Sequence, residues 1–408
     1  MSKPSPQNAV LGIGFVLIYQ TAVVAAVQTA PVLAPFAALG LGLDADFIGI
    51  FTAIIFATAL VSSTGTAGVV ARWGSFNGAS ASLAVVALGA LALALANGPV
   101  LVVLGAILIG IGYGPVNPIG SRLLNRIAVG RHRNLVFSFK QSSVAIGGAA
   151  AGFVLPVIVL MSDWRMAAIA TMALAILVAG LSPLVGNRLG QDGLAGVSIR
   201  FKLPFAPARD VLADPVQRGL AIAVFAFSMA QFGFMSVYIA MIWRESQLPP
   251  EGAAAMLSLT MTASIFGRLY WGWRADSGRP RQVLSWLAWS GAGLLMILLF
   301  LGPEWPWVAI ALISIALGFV PMGWSGVLLA EVARAGEARG GQGGVLSATA
   351  GSMVFAYLGG LFGPALLSMS VLATGSYTPG IVCLAVAFAV SAVVVVRGTE
   401  AIEKETEA

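Results

Sequence analysis

The sequence is poor in charge. Of its 408 residues only 9% are Asp, Glu, Lys or Arg, whereas 59% are hydrophobic. A soluble domain has roughly a quarter of its residues charged, so water is excluded as the main solvent of this chain. There is one cysteine, Cys383, inside an apolar run, which excludes an intramolecular disulfide and implies no redox compartment. There is one histidine, His132, and no metal-binding cluster, acid pair or nucleophile–base spacing. No metal, no cofactor and no enzymatic activity are therefore expected. The start of the chain lacks the charged segment, short apolar stretch and small-residue cleavage site of a removable signal peptide. The net charge of +6 would point to nucleic acid in a soluble protein; here it marks one membrane face, and no nucleic-acid partner is expected.

What the chain has instead is long apolar runs. They predict twelve helices, over residues 9–36, 47–70, 79–97, 99–124, 135–161, 166–186, 219–243, 253–273, 282–301, 306–330, 343–370 and 375–396. Each is long enough for a hydrocarbon core of about 30 Å at about 1.5 Å per residue. The expected class is an all-α membrane protein, and the even count puts both termini on one side. With the termini cytoplasmic, the outer loops hold only Arg165 and Arg244 of the 22 Lys and Arg. Cations gather on the cytoplasmic side of membrane proteins, so a multi-pass inner-membrane protein with both termini cytoplasmic is expected. Asp44, Asp46, Asp163, Glu245, Glu251 and Glu304 fall on the opposite loops.

The longest polar stretch, rich in Arg, Asp and Pro, lies mid-chain. It divides a six-helix bundle over 1–186 from a second over 219–408, with 187–218 as a cytoplasmic linker. Phe201, Leu203, Phe205 and Val211 give part of the linker an amphipathic pattern. A segment along the membrane surface and ordinary loop structure are both open.

The halves repeat. Gly68-Val-Val-Ala71-Arg72-Trp-Gly74 follows helix 2, and Gly272-Trp-Arg-Ala275-Asp276-Ser-Gly278 follows helix 8, 204 residues on from Gly68 to Gly272. The same offset carries Gly114 to Gly318, each in a stretch broken by Gly and Pro. Helix 5 holds Gly147, Gly148, Gly152 and Pro156, and helix 11 holds Gly359, Gly360, Gly363 and Pro364. Three matches in the same order indicate duplication.

In these features the whole chain resembles the major facilitator superfamily of secondary transporters. Its signature is a loop after helix 2, echoed after helix 8, with glycines, an Asp and basic residues. Gly272, Asp276, Gly278, Arg279 and Arg281 fit the second copy with one residue fewer after the Asp. In the first copy Arg72 stands where the acid belongs, beside Gly74. The resemblance implies two pseudo-symmetric six-helix bundles around a central cavity lined by helices 1, 4, 7 and 10. It also implies a latch between halves through the signature loops. The family's helix 4 arginine and the helix 5 Gly-Pro pair of drug/proton antiporters are both missing here, which lowers the antiporter reading.

No Asp or Glu falls in the middle of any predicted helix. Intramembrane acids are costly and persist for function. Proton coupling, if present, must therefore use another group or the substrate's own proton, and a cationic substrate would lack a counter-charge. Lys140, five or six residues into helix 5, has two open readings: a stem that snorkels to the interface, or a cationic site for an organic anion, flanked by Gln141. Burying an ammonium costs at least ~2.5 kcal/mol on insertion scales, which a bound anion would offset. Tyr113 and Asn117 project from the broken stretch of helix 4, and the hairpin of helices 4 and 5 puts Asn117 at the depth of Lys140. The resemblance adds Tyr19, Gln20 and Gln28 in helix 1, Gln231 and Tyr238 in helix 7, Trp324 in helix 10 and Tyr357 in helix 11 as cavity candidates. For each of these, interhelical bonding and substrate contact are both open. Arg268, near the inner end of helix 8, reads as an anchor or part of the latch.

The expected function is alternating-access transport of a small organic anion by a monomer in lipid, as symporter or antiporter, with a proton or no coupling ion. Two alternatives stay open: an exporter of neutral or amphipathic compounds, and a helper or sensor on a transporter scaffold.

Overall fold

The computed structural model describes residues 6–127, 133–190, 205–276 and 279–407. Among these every regular element is helical. The helices are α1 (Pro6–Leu41), α2 (Ile48–Ser63), α3 (Thr66–Trp73), α4 (Ser75–Ala94), α5 (Pro99–Tyr113), α6 (Val116–Ile127), α7 (Arg133–Met161) and α8 (Trp164–Leu189). They continue with α9 (Phe205–Ala213), α10 (Pro215–Glu245), α11 (Pro250–Asp276), α12 (Pro280–Leu298), α13 (Trp307–Phe319), α14 (Trp324–Thr374) and α15 (Thr378–Glu407).

Ten helical segments are long and apolar enough to cross a membrane by length and composition. With α11 and α12, whose apolar runs are diluted by Ser, Thr, Trp and Gly, they make the twelve spans of an all-α membrane protein. Many large apolar side chains face outward, among them Leu160, Leu177, Leu184, Phe266, Trp286 and Leu312. An exposed apolar surface of this extent is stable only against lipid.

Several spans differ from their sequence reading. Helix 2 is two pieces, because α2 ends at Ser63 and a turn at Thr64–Gly65 starts α3. Helix 4 breaks between α5 and α6 at Gly114–Pro115, and helix 10 breaks between α13 and α14 through a 3-10 turn at Pro321–Gly323. Proline lacks the N–H that would continue each ladder. Helices 10 and 11 are one hydrogen-bonded element, α14, whose two arms fold back on each other. In a straight helix Gly336 and Gly344 would stand about 12 Å apart, yet a Cβ on Gly336 would lie 2.6 Å from the Gly344 carbonyl oxygen. Helix ends also run past the hydropathy limits where a polar cap holds them: Asp163 accepts from the Met166 N–H, and Asp214 from the Val216 and Gln217 N–H groups.

The chain forms two compact units, Met1–Ala45 with Ile54–Lys202, and Asp46–Ala53 with Leu203–Ala408. The boundary at 202/203 falls inside the stretch read as a linker, of which Phe201 and Leu203 lie outside the described residues. The linker's helix α9 is no loop: it packs on the second arm of α14, with Val211 buried and Gly351 pressed on the Pro207 carbonyl.

Within the first unit α4 packs on α5 and α8, and α1 on α7 and α8. A Cβ on Gly110 or Gly114 would overlap the backbone of α2 at Ile55 and Ala59. In the second unit α13 meets α11 the same way, since a Cβ on Gly318 would overlap the Thr260 carbonyl. Small residues let helix backbones approach closely where lipid offers no hydrophobic drive between helices. The repeat from Gly114 to Gly318 is thus a repeat of contact as well as of sequence.

The segment Asp46–Ala53 is seated in the second unit. Asp46, read from sequence as a loop acid, is only 4% exposed. Its carboxylate accepts from the Tyr377 hydroxyl and pairs with Arg244, and its backbone carbonyl accepts from Ser368. The Gly49 N–H donates to the same Ser368 hydroxyl at 2.9 Å.

Candidate functional site

In the first unit the side chains of α6 and α7 meet around one buried cation. Lys140 stands seven residues into α7 and is 4% exposed. Its Nζ donates to Asn117 Oδ1 at 3.2 Å, to Ser121 Oγ at 3.2 Å and to the Asn117 carbonyl at 3.4 Å. Asn117 and Ser121 are four residues apart on α6, hence on one face. Gly120 lies between them, and a Cβ there would be 3.0 Å from Lys140 Cε, so the glycine makes room for the lysine stem. An ammonium has three donors, and all three go to neutral oxygens. Residues 1–191 hold only Asp44, Asp46 and Asp163 as acids, and none of them lies in α5, α6 or α7. Among the described residues of α5, α6 and α7 the group has hydrogen bonds and no acid to pair with. Ser121 was not singled out from sequence, although its i, i+4 spacing from Asn117 was the available signal.

The other first-unit candidates lie on α1, α5 and α7. Tyr19 is fully buried and donates to Ser82 Oγ at 3.0 Å, while Ser82 donates to the Gly112 carbonyl at 2.6 Å. Tyr19 therefore joins α1 to α4 and α5. Tyr113 is buried with its ring edge-on to Phe56, the centroids 5.6 Å apart. Gln141 is half-buried on α7, and Gln20 and Gln28 are buried on α1.

In the second unit a second group forms around the broken helix 10. Trp324, the first residue of α14, donates from Nε1 to Gln231 Oε1 at 2.8 Å and stacks on Phe227 at 5.5 Å between centroids. A cavity beside this pair is lined by Gln231, Phe234, Leu317, Pro321, Met322 and Phe388. The Trp271 indole donates to the Phe319 carbonyl at 2.9 Å, supplying a partner to an acceptor next to the break. Tyr238 bonds Ser314 at 2.6 Å, an interhelical link of α10 to α13. Tyr357 is buried in α14.

The residues read as a latch belong to both units. Arg72 is exposed in the last turn of α3, and Gly74, at φ +83°, turns the chain into α4. Gly272 has open space where a Cβ would stand, so close packing does not require a glycine there. Asp276 is exposed at the end of α11 and Arg279 is exposed just before α12; Gly278 lies outside the described residues. The ion pairs at this end of the second unit join Glu331 to Arg281 (3.1 Å) and to Arg334. Arg268 is 7% exposed inside the unit, where it donates to Ser325 Oγ at 3.1 Å and links α11 to α14. The sequence had placed it near the inner end of helix 8, as an anchor or part of the latch.

Among the described residues no three His, Cys, Asp or Glu gather as metal ligands.

Comparison with known proteins agrees with this geometry. The family model of the Major Facilitator Superfamily matches residues 11–364. No curated protein matches. Solved structures similar to this chain include a peptide transporter, POT, in complex with sulfate, at 16% identity and a TM-score of 0.70 over 96% of this chain and 94% of that one. A mutant of that transporter in complex with alafosfalin matches at 15% identity and 0.72, over 98% and 99%. Identity this low carries the fold alone, and the family match carries the rest: a secondary transporter in the membrane, with no enzymatic role. The chain belongs to the Major Facilitator Superfamily.

Proposed function

We propose that the protein transports a small organic anion by alternating access, with Lys140 as the cationic contact. The observation that carries this reading is the buried ammonium of Lys140, held by three neutral oxygens in a unit without an acid in the helices around it. A snorkelling lysine places its nitrogen at the polar boundary; this one is turned onto Asn117 and Ser121. A bound carboxylate would supply the missing charge.

The cation asymmetry of the sequence supports cytoplasmic termini in the inner membrane. With no acid inside the helices of the first unit, coupling to a proton would use the substrate's own proton or another group. A second reading, a carrier of neutral or amphipathic compounds, draws on the apolar cavity beside Gln231 and Trp324, walled by Phe234, Phe388 and Met322. Thioether and aromatic walls suit varied apolar shapes.

The test is thermal melting of wild type and Lys140→Ala in detergent against organic anions, cations, neutral metabolites and amphipathic compounds. A ligand at about 100 times its Kd stabilises by roughly 2.7 kcal/mol. Anion-specific shifts in wild type that vanish in the variant support the anion reading. Equal shifts in both proteins from amphipathic compounds alone support the second.

A further inference from the structure

Beside Lys140 the first unit holds two buried polar atoms that no protein group serves. Helix α1 lies along α7: a Cβ on Gly147 would be 2.8 Å from the Thr21 carbonyl oxygen and 2.9 Å from Val24 Cβ. Near Lys140, a Cβ on Gly120 would be 3.3 Å from Val16 Cγ1. Val16, Gln20 and Val24 recur every four residues on α1, and Lys140, Ser143 and Gly147 recur at three and four on α7, so each set shares a face. The two faces meet, and Gln20 and Ser143 fall between the contacts at Lys140 and at Gly147. Gln20 is 2% exposed and Ser143 is fully buried. Gln20 Oε1 and Ser143 Oγ lack hydrogen-bond partners. Buried polar atoms of native proteins are paired with protein, water or ligand, so these two atoms on one seam, with Ser143 one turn from Lys140, have hydrogen-bonding capacity to spend on a solute.

Ser143 can donate, Lys140 can attract an anion, and Gln20 Oε1 can only accept. We infer that the solute taken at Lys140 is a 2-hydroxycarboxylate, its carboxylate between Lys140 and Ser143 and its hydroxyl donating to Gln20 Oε1. A 2-amino acid also carries a donor there, but its ammonium would stand beside Lys140 where the surrounding helices offer no acid. A hydroxyl meets the amide oxygen without that repulsion. This inference rests on the anion reading and narrows it. A site built around a hydrogen bond rejects an analogue that lacks the donor, because the buried acceptor is then left unpaired.

The experiment measures Kd for matched acids on the purified full-length chain in detergent: lactate, propanoate and alanine, then mandelate and phenylacetate. Wild type should bind the hydroxy acid of each set roughly tenfold tighter than the acid without the hydroxyl, the equivalent of about 1.4 kcal/mol. Gln20→Leu should bring that ratio near one. Ser143→Ala should weaken both acids of a set alike. Either variant alone tests the inference should the other fail to fold. Equal binding of hydroxy and plain acids by wild type, with Lys140 still required, overturns this inference alone and assigns the orphan atoms to a water. Loss of both acids in Gln20→Leu overturns it too, making Gln20 structural. If no acid binds either wild type or variants, the anion reading falls and this inference with it.

Discussion

At the scale of single residues, buried polar groups in this protein are shared between helices more often than they are left for a solute. Trp324 and Gln231 illustrate the cost of parting them. Trp324→Phe keeps the ring on Phe227 but leaves Gln231 Oε1 without its indole donor, and an orphaned buried acceptor costs about 1–3 kcal/mol. The melting temperature should fall accordingly in a thermal scan, with the helix content unchanged. Asp46 is a sharper case. Arg244→Ala would remove the cation from a buried carboxylate that also accepts from the Tyr377 hydroxyl. Removing one member of a buried pair is strongly destabilising, although Arg244 is itself partly exposed and solvent weakens its share. A loss of about 1–3 kcal/mol is expected, and Arg244→Lys should recover part of it. The pairing of Asp46 with Arg244 was not legible in the sequence, because 198 residues separate them and both read as loop charges. The pairing of Lys140 with Asn117 was within reach, since consecutive antiparallel helices fix which residues share a depth.

At the scale of elements, glycine position controls which helices touch. Gly318→Ala should destabilise by about 1–3 kcal/mol, because the added Cβ runs into backbone that cannot rotate away. Gly293→Ala, on α12 with nothing within 4 Å of its Cβ, is the control. It should be neutral or gain up to about 1 kcal/mol from helix propensity. Comparing the two melting curves separates crowding from any general effect of losing a glycine. Helix α9 offers a further test at this scale. Gly351→Leu would fill the contact with Pro207 and Val211 and lift α9 from α14, so limited proteolysis in the stretch before α10 should speed up severalfold. Helix number was legible because a bilayer demands long apolar runs. Helix ends were not, because hydropathy stops where polar caps such as Asp163 and Asp214 carry the helix on. Faces were legible least. A helix apolar on all sides has no stripe to show which side is inward, which is why interhelical bonding and substrate contact both stayed open for Tyr19 and Tyr238; the structure gives each an interhelical bond, to Ser82 and Ser314.

At the scale of the whole molecule, the duplicated sequence, the twelve spans and the family match make this a secondary transporter, and the proposal of an anionic solute rests on its charge distribution. The first unit contains a buried cation and no acid in the helices around it. The second unit contains an amide–indole pair beside an apolar cavity. A carrier of cations would need the opposite balance, because a buried positive group repels a positive solute with little screening. Uptake into proteoliposomes should therefore favour anions over cations of equal size, and Lys140→Ala should reduce anion flux at least tenfold while leaving the protein folded.

The most direct measurement is the affinity of purified wild type and Lys140→Ala for a panel of small carboxylates, read by thermal stabilisation in detergent. The account predicts that a subset of carboxylates stabilises wild type and that none stabilises the variant. Stabilisation of the variant by the same acids to the same extent would contradict it and return Lys140 to the role of an interfacial anchor.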